Sequence, residues 1–289
     1  MSQYGSDVTD MRAQVRMLGD ADRPAVLEMI ERDPVGQCVL HARLTSAPGL
    51  TRFDLGGQLW GLDGPDGLHA AVYSGGNLVP VGGPLPALRA IAGAVAARPR
   101  TFSAIVGHRA PVDAMWGEGR ARWGEARAIR AEQPLLVTDR PAAVTPDPQV
   151  EVVTSRQLGR YLPAALAMFS EELDVEPPRA DARSPYRARM AQLISAGRAF
   201  ARFDDAGRAI YKAEIAAVSP RCTQIQGVWV DPDLRGRGVG TAATAAVLAA
   251  ALRLAPVATL YVNGYNQPAR AMYERLGFQQ AATFATVLF

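Results

Sequence analysis

Residues 226 to 241 read Gln-Gly-Val-Trp-Val-Asp-Pro-Asp-Leu-Arg-Gly-Arg-Gly-Val-Gly-Thr. A β-type run, Val228-Trp229-Val230, meets the turn Asp231-Pro232, then a glycine-rich loop, then a long alanine-rich helix that begins near Thr241. Glycines at 236, 238 and 240 remove the Cβ atoms that would hold a ligand away from the backbone. The helix start turns its unpaired N–H groups and positive dipole end toward that loop. Loop and helix start together form an anion site, most naturally for phosphate.

Downstream of this helix, 258–262 reads as a strand and 267–276 as a helix. Asn266 is its N-cap, Pro268 is tolerated in its first turn and Gly277 is its C′ residue. Ala269, Met272, Tyr273 and Leu276 share one face of it, and 283–289 reads as a closing strand. Upstream, 222–230 is a strand, and 200–203 and 210–218 form a hairpin around Asp204-Asp205-Ala206-Gly207. Helices are expected over 158–173, ending near Glu171-Glu172-Leu173-Asp174 before Pro177-Pro178, and over 185–196, ending at Gly197.

Prolines cluster at 141–148, which is linker chemistry. The halves on either side begin alike. Val15 to Leu18 precedes a helix through Val26, Leu27 and Ile30, and Val150 to Val153 precedes a helix through Leu158, Leu162, Leu166 and Phe169. A strand followed by a capped helix, twice, suggests two copies of one architecture. The expected domains are therefore 1–140 and 150–289, joined by a linker at 141–149. In the first half, 58–62 and 69–73 flank a hairpin turn, followed by a helix over 85–97 and a strand over 102–106. The region 111–132 carries Arg120, Arg122, Trp123, Arg127 and Arg130; it reads as a helix with a solvated arginine face and an anchoring tryptophan, with RNA contact as the alternative. No phosphate loop is evident in this half.

The chain has 289 residues, a formal charge of +3 and one lysine, Lys212. A mild positive excess helps draw in a polyanionic ligand. Cys38 and Cys222 are too few for a disulfide framework, and His41, His69 and His108 are scattered, so no metal site is expected. The first residues carry no signal-peptide pattern. The longest apolar stretch, 241–262, is interrupted by Arg253 and Pro256 and reads as helix then strand, not a membrane span. A soluble, cytoplasmic protein is expected.

Three owners compete for the glycine loop. A Walker loop requires a lysine, and none lies near. Gly238-x-Gly240-x-x-Ala243 fits the dinucleotide fingerprint, but no Asp or Glu occurs between Leu234 and Tyr273 to hold a ribose. The third owner is acyl-coenzyme A. Arg235-Gly236-Arg237-Gly238-Val239-Gly240 resembles the loop of the Gcn5-related N-acetyltransferase (GNAT) superfamily, [Q/R]-x-x-G-x-[G/A]. Asn266 to Phe278 resembles that family's N-x-x-A-x-x-x-Y-x-x-x-G-F segment at the right distance. The likeness covers about 150–289 and, by arrangement, extends to a degenerate copy in 1–140. The whole resembles the actinobacterial tandem type, whose poorly characterised N-terminal domain precedes a GNAT domain.

The resemblance implies an α/β (α+β) fold of two GNAT-like domains, each a mixed, mostly antiparallel sheet flanked by helices. It implies acetyl-CoA as co-substrate, no metal, and an N-acyltransferase, most simply an acetyltransferase, acting by direct attack in a ternary complex. Its acceptor is a small-molecule or peptide amine; the sequence names no nucleic-acid or membrane partner and leaves a homodimer open. The resemblance assigns the pyrophosphate to amides of Arg235, Gly236, Arg237, Gly238, Val239, Gly240 and Thr241. It assigns the pantetheine arm to a splayed strand at Val228, Trp229 and Val230, with the N–H of Val228 at the thioester carbonyl. Asn266 then lies near the cofactor, and Tyr273 is the candidate general acid. Where many members carry a catalytic glutamate this chain has Gln224, with Gln226 beyond it. Glu214 is then the nearest candidate base, although Lys212 shares its parity and suggests a surface ion pair. Glu171 and Glu172 could meet a cationic acceptor or face water, and the Phe289 carboxylate could approach the site. Cys222 reads as a small buried residue. The alternative reading is a catalytically inactive acyl-CoA-binding regulatory or scaffold protein.

Overall fold

A computed structural model describes residues 15–173 and 184–289. In chain order it contains β1 (Val15–Met17), α1 (Arg23–Glu31), α2 (Cys38–Ser46), α3 (Arg52–Leu55), β2 (Gln58–Gly64), β3 (Gly67–Ser74), β4 (Asn77–Gly82), α4 (Leu85–Ala96), β5 (Ala104–His108), α5 (Arg109–Trp123) and β6 (Ala128–Thr138). There follow β7 (Glu151–Val152), α6 (Leu158–Leu173), α7 (Pro185–Ser195), β8 (Ala199–Phe203), β9 (Ala209–Val218), β10 (Cys222–Val230), α8 (Val239–Leu252), β11 (Val257–Tyr261), α9 (Gln267–Arg275) and β12 (Gln279–Leu288). Asp174, Pro177, Pro178 and the first residues of the chain lie outside the described residues. No helix among those described is long and apolar enough to cross a membrane.

The chain divides into two compact units. The first comprises Met1–Leu135, Tyr261–Tyr265 and Gln280–Phe289; the second comprises Leu136–Leu260 and Asn266–Gln279. This differs from the sequence expectation of contiguous halves meeting at a 141–149 linker. Residues 280–288 of the last strand lie in the first unit, between β5 and β6, and β6 crosses the division at Leu135/Leu136. A strand joins a sheet wherever its backbone groups find partners, so chain order does not assign it.

In the first unit the strand order is β1-β2-β3-β4-β5-β12-β6. All of its registered pairs are antiparallel except β4 with β5. Helix α4 presents Leu88, Ile91 and Val95 to a core that includes Trp60, Val72, Ile105, Trp123 and Val287. The region 111–132 is not one helix. α5 stops at Trp123, whose buried ring meets Phe102 edge-on at 5.3 Å, and Gly124 (φ 89°) ends it. Arg120 and Arg122 are exposed on that helix, whereas Arg130 lies on β6. Sequence reasoning passed over α2, α3, β4 and β6.

In the second unit β11, β10, β9, β8 and β7 follow one another. Again the pairs are antiparallel except one, β10 with β11. Helices α6 and α7 bury Tyr161, Leu162, Ala165, Met190, Leu193 and Ile194 against Ala199, Ala201, Ala209 and Trp229. Helix α8 is apolar nearly all round, with Val247 and Leu248 fully buried. Each unit thus has a mixed, mostly antiparallel sheet flanked by helices, and among the registered pairs of each, one is parallel with a helix between its strands.

Candidate active site

The parallel pair of the second unit opens almost at once. β10 and β11 are in register only over Cys222–Gln224 and Val257–Thr259. From there β10 stays with β9 alone, and a bulge between Gln226 and Trp229 places two residues opposite one. The N–H of Asp231 donates to Ile210 O (2.9 Å) and Trp229 lies opposite Lys212. By alternation the backbone groups of Val228 and Val230 turn away from β9, into the opening. The carbonyl of Val230 is already engaged, because Arg235 Nε donates to it at 3.0 Å.

The glycine loop closes the end of this opening. Gly236 (φ 74°) and Gly238 (φ 81°) are left-handed, and nothing crowds the Cβ that either lacks. Those two are glycine for conformation. Gly240 is glycine for space, since a Cβ there would come 2.9 Å from Val230 Cγ2. α8 begins at Val239, two residues before the expected start, with Gly238 as N-cap. The N–H of Thr241 donates to Gly238 O and that of Arg235 to Pro232 O. Those two amides, assigned to pyrophosphate by resemblance, are therefore committed within the loop. The amides of Gly236, Arg237, Gly238, Val239 and Gly240 make no hydrogen bond among the described residues. Successive unpaired N–H groups at a helix start form an anion cradle.

Arg235 turns inward to organise this corner. Its Nη2 donates to Glu171 Oε2 at 2.7 Å, and Trp229 Nε1 donates to Glu171 Oε1 at 3.1 Å. Glu171 therefore clamps the strand and loop to α6, which removes it as a free anionic contact for an acceptor. Glu172 acts electrostatically on Tyr273.

Tyr273 lies on α9, buried, its ring edge-on to Phe278 at 5.8 Å. Burial, aided by Glu172, raises its phenol well above the ordinary value, so it stays protonated at neutral pH. Its hydroxyl makes no hydrogen bond among the described residues. Tyr211, raised by its own burial, shares a hydrogen bond with Thr244 Oγ1 (3.1 Å) and interacts electrostatically with Tyr273. The Asn–Tyr segment has a structural logic of its own. Asn266 Oδ1 accepts from Ala269 N (3.2 Å) as the N-cap. At the other end Phe278 N donates to Tyr273 O (3.0 Å) and Gly277 N to Glu274 O (2.9 Å), a Schellman motif with Gly277 at φ 88°. Gly277→Ala should lower stability by about 1–2 kcal/mol through the left-handed penalty, read from urea unfolding, and should loosen Tyr273 with it.

Glu214 and Lys212 do form an ion pair, but a buried one rather than the surface pair that their parity suggested. Their relative exposures are 1% and 0%. Glu214 Oε1 accepts from Lys212 Nζ and from the Tyr161 hydroxyl, which burial and Glu214 hold firmly protonated. Lys212 Nζ also contacts Met168 Sδ at 3.3 Å. The remaining oxygen, Oε2, faces Gly227 in the bulge: a Cβ at Gly227 (φ 60°) would collide with it and come 2.7 Å from Lys212 Nζ. A carboxylate thus lies directly under the residue preceding Val228. The sequence showed that Lys212 and Glu214 share a face, but not that Tyr161 and Met168 of α6 cover it. Gln224, also buried, lies on β10 opposite Ala217. Cys222 is buried beside Ser219. Phe289 is packed in the first unit against Phe102 and Trp116.

The parted β10 and β11 and the run of unpaired amides beside them belong to an α/β unit. Residues 166–278 match the acetyltransferase (GNAT) family and form a GNAT domain. Residues 57–161 match a domain of unknown function, DUF4081. No curated protein matches the sequence. Among solved structures, a GCN5-related N-acetyltransferase from Sphaerobacter thermophilus aligns with TM-score 0.58 and 16% identity over 95% of both chains. A GNAT-family acetyltransferase from Colwellia psychrerythraea gives 0.55 and 12%, covering 95% of this chain and 99% of its own. A tandem GNAT protein from the clavulanic acid biosynthesis pathway gives 0.53 and 15%, covering 95% and 98%. At these identities the likeness is one of fold, and it extends over both units.

Proposed function

We propose that the second unit transfers an acyl group, most simply acetyl, from acyl-coenzyme A to an amine, as a cytoplasmic N-acyltransferase. The observation that carries this reading is the run of unpaired amides from Gly236 to Gly240 at the mouth of the β10–β11 opening. Five donors in succession suit a pyrophosphate, and the exposed Arg237 adds positive charge beside them. The opening beyond offers the backbone of Val228 to a pantetheine arm.

In this reading the N–H of Val228 donates to the thioester carbonyl oxygen, worth about 3–4 kcal/mol of activation free energy. The amine nitrogen bonds to the carbonyl carbon, and its proton passes to Glu214 Oε2 through the bulge at Gly227. The carbon–sulfur bond breaks, and Tyr273 donates its proton to the leaving thiolate. The phenolate then regains a proton and Glu214 releases one to solvent, so the enzyme returns to its starting state.

Saturating acetyl-CoA is expected to raise the melting temperature of the full chain. At a hundredfold excess over Kd the gain is about 2.7 kcal/mol. An unchanged melt would overturn the reading at its first step. The second reading, an acyl-CoA-binding regulator without turnover, draws on Gln224 and on the engagement of Glu214 by Lys212 and Tyr161. Amine-dependent thiol release, corrected for hydrolysis, separates the two.

A further inference from the structure

We propose that the first unit carries a ligand site of its own, between β4 and β5, that takes a small organic ammonium ion with an apolar body. β4 and β5 are in register only at Asn77 and Leu78 with Ala104 and Ile105, and then part as β10 and β11 do. A cavity of about 520 Å³ lies there, within the range of small-molecule sites. Met29, Val81, Leu88, Pro84 and Pro111 form its apolar wall, and Asp33, Gln37 and His108 are among its polar lining residues.

This opening lacks what would hold phosphate. Where the second unit interposes residues 231–238 before its helix, the first has only Gly83 and Pro84 between β4 and α4. Pro84 and Pro86 carry no N–H, so the helix start has lost two donors. No arginine lies in this connection.

What it offers instead is acceptors. Gln37 is 3% exposed; its Nε2 donates to Pro80 O at 3.0 Å, which fixes the amide's orientation. Its Oε1 is then left buried with no hydrogen-bond partner among the described residues. A buried acceptor left unmatched is costly, and a donor on a ligand removes that cost. Asp33 accepts from Gly36 N (3.1 Å) and stands 2.6 Å from His108 Nε2. An ionised carboxylate only accepts, so the ring donates from Nε2 in this contact. Arg32, also in the wall, is paired with Glu28 (2.7 Å). The cleft therefore offers the Asp33 carboxylate and the unpartnered amide oxygen of Gln37 to a ligand's N–H groups. A primary ammonium supplies three donors and the complementary charge.

The test is ligand-detected NMR on the full chain with benzylamine, 2-phenylethylamine and cyclohexylmethylamine, each beside its alcohol counterpart. The amines should bind with Kd on the order of 1 mM, as ligands of this size do. The alcohols should be at least about tenfold weaker, and Asp33→Asn should erase that difference. Gln37→Leu should weaken the amines as well, which keeps the test decisive if Asp33→Asn does not fold. Amines and alcohols binding alike, no amine binding at about 10 mM, or amine binding indifferent to both variants would each overturn the proposal. Acetyl-CoA stabilisation, measured on the same samples, reports on the second unit and leaves the two readings distinguishable.

Discussion

Lys212→Met is expected to lower the unfolding free energy by about 3–5 kcal/mol, because it leaves Glu214 as a buried carboxylate without its cation. Glu214 is 1% exposed, and among the described residues only the Tyr161 hydroxyl then remains to bond it. Urea unfolding reads the loss directly, and the melting temperature should fall by roughly 10 °C. The companion is the triple variant Tyr161→Phe, Lys212→Met, Glu214→Leu, which removes the cluster as a unit. Apolar replacement of a whole buried polar set is often neutral or better, so most of the stability should return. Activity should not return with it if Glu214 takes the amine's proton. A stable triple variant with full turnover would reduce Glu214 to a structural residue and move the search for a base elsewhere.

Tyr273→Phe should lower kcat about a hundredfold, the ordinary worth of a placed general acid. Acetyl-CoA stabilisation should be unchanged, since the phenyl ring keeps its edge contact with Phe278. Loss of affinity with kcat preserved would assign the residue to packing. Burial raises the Tyr273 pKa in the folded protein above its unfolded value. Its contribution to stability is therefore complete below the usual phenol value of about 10 and is lost as pH climbs beyond it. The midpoint of whatever pH dependence the rate shows between pH 7 and 9 should be unchanged in Tyr273→Phe, because this phenol does not titrate there.

The region from β10 to α9 was legible because every boundary carries its own chemistry. Gly238 caps α8, Asn266 caps α9, and Gly277 closes α9 with a Schellman turn. Local signals of this kind survive in a single sequence. Long-range pairings do not. Nothing in residues 280–288 states that they will join β5, since an alternating strand fits any open edge of compatible register. β6 was hidden because its first residues, Ala128 and Ile129, are exposed and adjoin an arginine-rich helix. The cavity in the first unit depended on Asp33 meeting His108 across 75 positions, and neither residue sits in a recognisable motif. Of the loop amides the motif nominated, those of Arg235 and Thr241 are engaged within the loop itself, which a motif written in residue types does not show.

The burial of Lys212 has a consequence for the protein's own chemistry. It is the only lysine in the chain, and the folded protein exposes none of it. A reactive thioester, or any amine-directed reagent, therefore finds no lysine side chain to modify on the native surface. Adventitious self-acylation, to which proteins handling activated acyl groups are exposed, has no lysine target until the second unit opens. Labelling at Lys212 would accordingly be a clock for unfolding, silent in the native state and rising only as the chain comes apart.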